Sequence, residues 1–300
     1  MPRCPAVAFS TCTMRRAVSC PIFTCLDNGD DNTVAHFRDA RVMVKCTKSV
    51  PNGKIPPESE ASAMRHLDFK VDASPDTLLA PHHECVAAVL DSLVIPQGNT
   101  SRFVYTYLTT KYYALPDLFT LCSHFNSGPP WRVVKVLATN LARALAVCHM
   151  HDVAHGDVKP ENVLVNVADL SVKLIDFAFA RRGVIHMTRN KHAVKAVAKA
   201  GTEPYLAPEL RFADQFSLVN PVLVDMYALG ITLAFLVCGT RVSVHDYSSI
   251  SLGVPRVVKE ELVGKGWPGA FFDAAASCVA HWPPDRPTAL EFLRALAGID

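Results

Sequence analysis

His155-Gly156-Asp157-Val158-Lys159-Pro160-Glu161-Asn162 places an acid, a cation and an amide in one short string. Leu174-Ile175-Asp176-Phe177 adds a second acid soon after it. Moving a phosphoryl group off a metal-bound nucleotide needs this set. Asp157 could orient a hydroxyl and accept its proton. Lys159 could neutralise charge on the moving group. Asn162 and Asp176 offer oxygen ligands, which magnesium prefers as a hard cation. A single H-G-D or D-F is common in loops; the whole string at this spacing is not.

Stepping outward, the elements that must position these residues follow from periodicity. Trp131 to Met150 carries Val133, Val134, Leu137, Leu141, Leu145 and Cys148 at three-to-four spacing. That stripe predicts an amphipathic helix packed on a core and delivering the chain to the octet. Thr33–Phe37 and Arg41–Lys45 are β-rich runs joined by Arg38-Asp39-Ala40, which reads as a hairpin. Cys85–Ile95 and Ser101–Leu108 read as two further strands. Ser49–Pro57 is rich in Pro, Gly, Ser and Asn and reads as a loop. Glu58–Phe69 has helical spacing at Ala61, Met64 and Leu67, and Lys70–Glu84 reads as an inserted loop. Asn126-Ser127-Gly128-Pro129-Pro130 is a breaker. Asp225 to Gly230 opens an apolar helix, with the acid at its start as the helix dipole favours.

Bulk composition narrows the class. Three hundred residues, 50% hydrophobic and 19% charged with net charge +2, describe a soluble globular protein with ample core. The charge balance gives nucleic-acid binding no support. No apolar run reaches the roughly 18–20 residues that span a membrane, and no membrane insertion is expected. Met1–Cys20 lacks the apolar core of a secretory signal and reads as a flexible lead-in. Ten cysteines are scattered with no C-x-x-C, which predicts free thiols and a reducing compartment, cytoplasm or nucleus. His149, His151 and His155 lie close together, but their spacing and the lack of a cysteine or acid partner argue against zinc.

The octet resembles the catalytic loop of eukaryotic-type protein kinases. Lys159-Pro160-Glu161-Asn162 resembles the serine/threonine branch, and Asp176-Phe177-Ala178 stands where that family has Asp-Phe-Gly. Glycine replaces the family's usual arginine at 156, a variant similar to the protein kinases of herpesviruses. Glu60-Ala61 with Arg65, Leu67 and Asp68, and the Asp117-Leu118-Phe119-Thr120 helix start, resemble the alphaherpesvirus kinases encoded in the unique short genome region. The resemblance covers about residues 22–297.

That resemblance implies an α+β, bilobal protein-kinase fold. A small β-rich N-lobe with one key helix would span 21–108, and a larger, mostly helical C-lobe 109–300, after a 1–20 lead-in. It implies magnesium and ATP in a cleft between the lobes. Val42-Met43-Val44-Lys45 resembles the strand whose lysine holds the α- and β-phosphates, and Glu60 is favoured as its partner over Glu58 and Glu84. The family's G-x-G-x-x-G-x-V aligns with Asp27-Asn28-Gly29-Asp30-Asp31-Asn32-Thr33-Val34; Gly29 matches the middle glycine and Val34 the valine. Three aspartates there should weaken nucleotide binding unless they point outward. Leu164 resembles the residue beneath adenine, with a plain core role as its alternative, and Thr109–Tyr113 would be the hinge. Thr202, in Gly201-Thr202-Glu203-Pro204-Tyr205-Leu206-Ala207-Pro208-Glu209, would contact Asp157 and Lys159 and help seat the acceptor hydroxyl. Asp225 would brace the catalytic loop, and Arg286 would pair with Glu209.

Arg181–Ala200 carries six cations and no acid, and by position it would be the activation segment. With Gly156 in place of arginine, and Thr188 the single hydroxyl between Phe177 and Gly201, activity is expected without phosphorylation of that segment. Protein substrates with basic residues near the target serine or threonine, a monomer, and roles in the host cytoplasm or nucleus are the family's further implications. Two other classes stay open. Small-molecule phosphotransferases of the aminoglycoside type share the H-G-D, the later asparagine and an I-D-F. A catalytically impaired scaffold would fit Ala178 and the glycine-poor, acidic loop.

Overall fold

The computed structural model describes residues 23–28, 32–37, 42–49, 60, 63, 85–87, 89–96, 104–111, 113–125, 128–183, 185–186, 201–212, 218–239 and 264–300. The 1–20 lead-in, Gly29, Glu58, the whole 70–84 stretch read as an inserted loop, with Glu84 at its end, and Thr188 lie outside them. The chain divides into two compact units. One comprises Met1–Ala61 and Ala88–Ala114, the other Ser62–Ala87 and Leu115–Asp300.

The first unit is built on an antiparallel sheet of β1 (Phe23–Asn28), β2 (Asn32–Phe37), β3 (Val42–Ser49), β4 (Val89–Pro96) and β5 (Val104–Lys111). Their order is β1-β2-β3-β5-β4. β-branched and aromatic residues make these runs suit a pleated surface. The β2–β3 hairpin forms as the sequence predicts, with Val34 directly opposite Lys45. β5 runs to Lys111, beyond the Leu108 end expected from sequence, because its pairing with β3 continues through Val42 opposite Lys111. Cys85–Ala87 does not belong to β4. It pairs instead with β7 of the second unit, through Leu174 N–H to Cys85 O at 2.8 Å and Ala87 N–H to Leu174 O at 3.0 Å.

The second unit is mostly helical. α1 (Leu118–Ser123) starts at Asp117, whose Oδ1 accepts from Thr120 N at 2.7 Å, an N-cap for a donor with no intrahelical partner. α2 (Trp131–Met150) buries Val134, Leu137, Leu141, Leu145 and Cys148, the stripe read from its spacing. The β6 (Val163–Val165) and β7 (Val172–Leu174) hairpin follows the octet. β8 (Ile185–His186), α3 (Pro208–Arg211) and β9 (Leu218–Val219) lead to α4 (Pro221–Cys238), α5 (Gly269–Cys278) and α6 (Ala289–Ala297).

α4 begins earlier than the sequence reading placed it. Asn220 caps it by accepting from Val222 N, and Pro221 sits at its first position, where a missing N–H costs nothing. Asp225 is therefore inside the helix and fully buried, not at its positive end. α4 packs tightly on the end of α5: a Cβ at Gly230 would lie 2.6 Å from Val279 Cγ1 and 2.9 Å from Cys278 Cβ. By length and composition α2 and α4 could each cross a membrane. Burial of 56% and 89% of those spans inside the structure identifies them as core helices. Cys122, Cys148 and Cys278 are buried thiols outside any disulfide. Burial pushes the Cys122 thiol up to about 12, and the Cys148 and Cys278 thiols also rise by burial, so these side chains pack as apolar groups.

Candidate active site

The octet lies between α2 and β6 and is held from below by one acid. Asp225 Oδ2 accepts from His155 N at 2.7 Å and from His149 Nε2 at 2.9 Å, and its Oδ1 accepts from Gly156 N at 2.8 Å. A buried carboxylate needs such donors, because an unpaired charge in the interior is costly. His155 is fully buried against Phe177, ring centroids 4.6 Å apart. Its Nδ1 faces the Asp157 N–H at 3.2 Å and its Nε2 faces Ile175 O at 2.9 Å. Those partners assign the Nε2 proton as the donor to Ile175 O and Nδ1 as the acceptor. His155 thus serves the backbone and His149 the Asp225 carboxylate.

Gly156 has φ +80°, and a Cβ there would lie 2.3 Å from Phe179 O. Both the left-handed backbone and the close carbonyl require glycine.

The second layer is the Asp157 carboxylate itself, 4% exposed. Its Oδ1 accepts from Thr202 N at 2.8 Å and Thr202 Oγ1 at 2.9 Å. Its Oδ2 accepts from Asn162 Nδ2 at 3.0 Å and lies 2.8 Å from Lys159 Nζ. Lys159 Nζ also donates to Thr202 Oγ1 at 2.6 Å. The structure therefore brings Asp157, Lys159, Asn162 and Thr202 into one hydrogen-bonded cluster. Asp157 N–H aside, the acid is held at both oxygens, so its orientation is fixed before any partner arrives.

Asn162 also donates to Asp157 O at 2.9 Å, so both amide hydrogens are committed and Oδ1 is left as the acceptor. Ile175 N–H donates to Asn162 O at 3.0 Å, which ties the segment carrying Asp176 to the end of the octet. Asp176 is half-buried with φ +62°, a left-handed conformation that aspartate tolerates better than most residues. Two oxygen-bearing side chains on tied segments form a donor set that fits magnesium. Leu164 lies in β6, half-buried and bridged to Asp117.

In the first unit, Lys45 Nζ lies 3.2 Å from Glu60 Oε2, with the lysine side chain 16% and the glutamate 8% exposed. Val34 is half-buried on the neighbouring strand.

Sequence reasoning missed two arginines. Arg181 is joined to Ala154 by backbone bonds in both directions, 2.9 and 3.0 Å. Its Nη2 is buried with no hydrogen-bond partner among the described residues, and burial lowers its guanidinium pKa. Arg211, at the end of α3, donates to carbonyls of the segment after Thr202. Neither sits in a spaced motif. Arg286 was legible: Nη1 and Nη2 each meet Glu209 at 2.7 Å, with both side chains fully buried. Nε donates to Ala280 O, and the remaining hydrogens reach Leu223 O and His281 O.

Compared with known proteins, residues 91–294 match the protein kinase domain. A probable serine/threonine-protein kinase of Dictyostelium discoideum is 29% identical over 54% of this chain and 30% of its own length. A cyclin-dependent kinase 4 homolog of Caenorhabditis elegans is 28% identical over 59% of this chain and 40% of its own. The serine/threonine-protein kinase PknB of Mycobacterium leprae is 25% identical over 66% of this chain and 29% of its own. The chain thus spans well under half the length of these relatives. With a match running from β4 into α6 and enclosing the whole Asp157 cluster, the chain belongs to the protein kinase domain family.

Proposed function

We propose that this chain is a serine/threonine protein kinase that transfers the γ-phosphoryl of magnesium-ATP to protein hydroxyls. The observation that carries the reading is the Asp157 carboxylate, held by Lys159, Asn162 and Thr202 at 2.8–3.0 Å. Bound magnesium-ATP supplies the phosphoryl group and the metal's charge neutralisation. Asn162 Oδ1 and the Asp176 carboxylate would hold the metal. Lys45, steadied by Glu60, would hold the α- and β-phosphates, with Gly29, Val34 and Leu164 assigned to the nucleotide by resemblance.

Asp157 orients the acceptor hydroxyl and takes its proton as the new P–O bond forms and the bond to the departing diphosphate breaks. Lys159 sits beside the acid and offsets charge on the oxygens in transit. Thr202 holds Asp157 from the acceptor side.

The viral assignment is part of the proposal. Gly156 in the octet, Glu60-Ala61 with its followers, and the Asp117-Leu118-Phe119-Thr120 start support it. So we place the protein in the cytoplasm or nucleus of a host cell, as a monomer acting on viral and host proteins with basic residues near the target. The scaffold reading keeps one specific support, the aspartates flanking Gly29 together with Ala178.

One assay separates these readings. Purified protein is incubated with magnesium and labelled ATP, with either basic proteins or small alcohols as acceptors, beside Asp157→Asn. Protein labelling lost in the variant is the expected result. Labelled small molecules, or nucleotide binding without transfer, would replace the kinase reading.

A further inference from the structure

The turn after Thr202 is held from its far side by Arg211. Nε donates to Leu206 O at 2.9 Å, and Nη2 donates to Glu203 O at 2.7 Å and to Pro204 O at 3.2 Å. From the near side, Asp157 Oδ1 accepts from Thr202 N and Oγ1. Between these two anchors the backbone makes a single tight turn, Glu203–Tyr205, closed by Tyr205 N–H to Thr202 O at 2.9 Å and Leu206 N–H to Glu203 O at 3.2 Å. The turn is thus pinned at one end by the acid that meets the acceptor hydroxyl and at the other by a planar guanidinium. Three carbonyls converging on one side chain fix the curvature of that turn. A fork of fixed geometry spaces its donors over two nitrogens here; an ammonium puts its three donors on one nitrogen at the end of a flexible stem, without that spacing.

We infer that Arg211 is a positioning residue for the protein acceptor. It sets the Thr202–Leu206 turn, and through Thr202 the distance between the acceptor hydroxyl and Asp157. This inference rests on the kinase reading above and adds a residue to it. Arg211 touches neither Asp157 nor Lys159, so its loss acts on the acceptor and not on the nucleotide. A displacement of about 1 Å in a positioning element can cost up to roughly a hundredfold in rate.

The test compares wild type with Arg211→Met and Arg211→Lys. In the Met variant kcat/KM for a basic protein acceptor falls about tenfold or more, KM for ATP stays within twofold, and the Lys variant falls between. Amide hydrogen exchange at Tyr205 and Leu206 speeds up at least tenfold in the Met variant, while exchange in β6 is unchanged. An acceptor kcat/KM within twofold of wild type, or an ATP KM that rises as acceptor kcat/KM falls, would overturn the inference. If Arg211→Met does not fold, Arg211→Lys is read by the same criteria. If wild type labels no protein, the kinase reading fails by itself. Exchange then decides the turn-holding role, and unchanged exchange at Tyr205 and Leu206 would overturn it.

Discussion

Asp157 is the residue on which the others converge, and its neighbours divide by what they leave intact. Asp157→Asn keeps the side-chain shape but loses the base. General-base contributions are typically 10²–10⁴-fold, so transfer to protein should fall by at least about a hundredfold. Nucleotide binding, read by a fluorescent analogue, should persist, because the residues assigned to metal and phosphate are untouched. Loss of both together would point to a structural role for the acid. Asp157, Lys159 and Asn162 were readable from sequence because their chemistry requires fixed spacing along one loop. Thr202 was readable only through a resemblance, since it reaches the acid from more than forty residues away. Arg181 and Arg211 were not readable at all. What they do depends on which carbonyls or voids lie beside them after folding, and no local pattern encodes that.

At the scale of elements, the second unit is tied by contacts that join distant segments. Arg286 links the loop before α6 to the start of α3 through Glu209, and its Cζ sits 5.0 Å over the Tyr227 ring of α4. Removing one partner strands a buried charge, so Arg286→Ala should lower stability by about 3–5 kcal/mol. Urea unfolding of the variant checks this; a loss below 1 kcal/mol would contradict it. α6 opens with a capping box, in which Thr288 N donates to Glu291 Oε2 at 2.8 Å and Glu291 N donates to Thr288 Oγ1 at 3.3 Å. The backbone bond from Thr288, then its hydroxyl, lower the Glu291 pKa in the folded state. A lowered folded pKa gives stability that is complete above the unfolded value and fades as pH falls through the folded one. Melting temperature should therefore drop between pH 5 and about pH 3 slightly more in wild type than in Glu291→Gln. Strand and helix types were legible from periodicity, but the start of α4 was misplaced. The acid of Asp225 drew the eye to the dipole, while Asn220-Pro221, a cap followed by proline, marks the true start.

For the whole molecule, the sequence resemblance spanned both units, whereas the family match begins only at residue 91. The glycine-poor acidic run at 27–33 and the run at 70–84 both lie before that start. The expectation that activity does not require phosphorylation of the activation segment is tested on the full chain. Bacterially produced, phosphatase-treated material should phosphorylate a basic substrate within about threefold of untreated material, since no arginine stands at 156 to reward a phosphate with a charge-assisted bond. Complete loss of activity after phosphatase treatment would contradict it.

The carbonyl of Phe179 lying where a Cβ at 156 would go has a bearing on how this sequence can change. Replacing Gly156 by arginine in one step meets backbone, which cannot swing aside as a flexible side chain could. Gly156→Arg should melt earlier than wild type and gain no dependence on a phosphate, unless the 177–180 segment is altered first. The order of substitutions is then constrained: a side chain at 156 is admitted only after the 177–180 backbone has moved away from it.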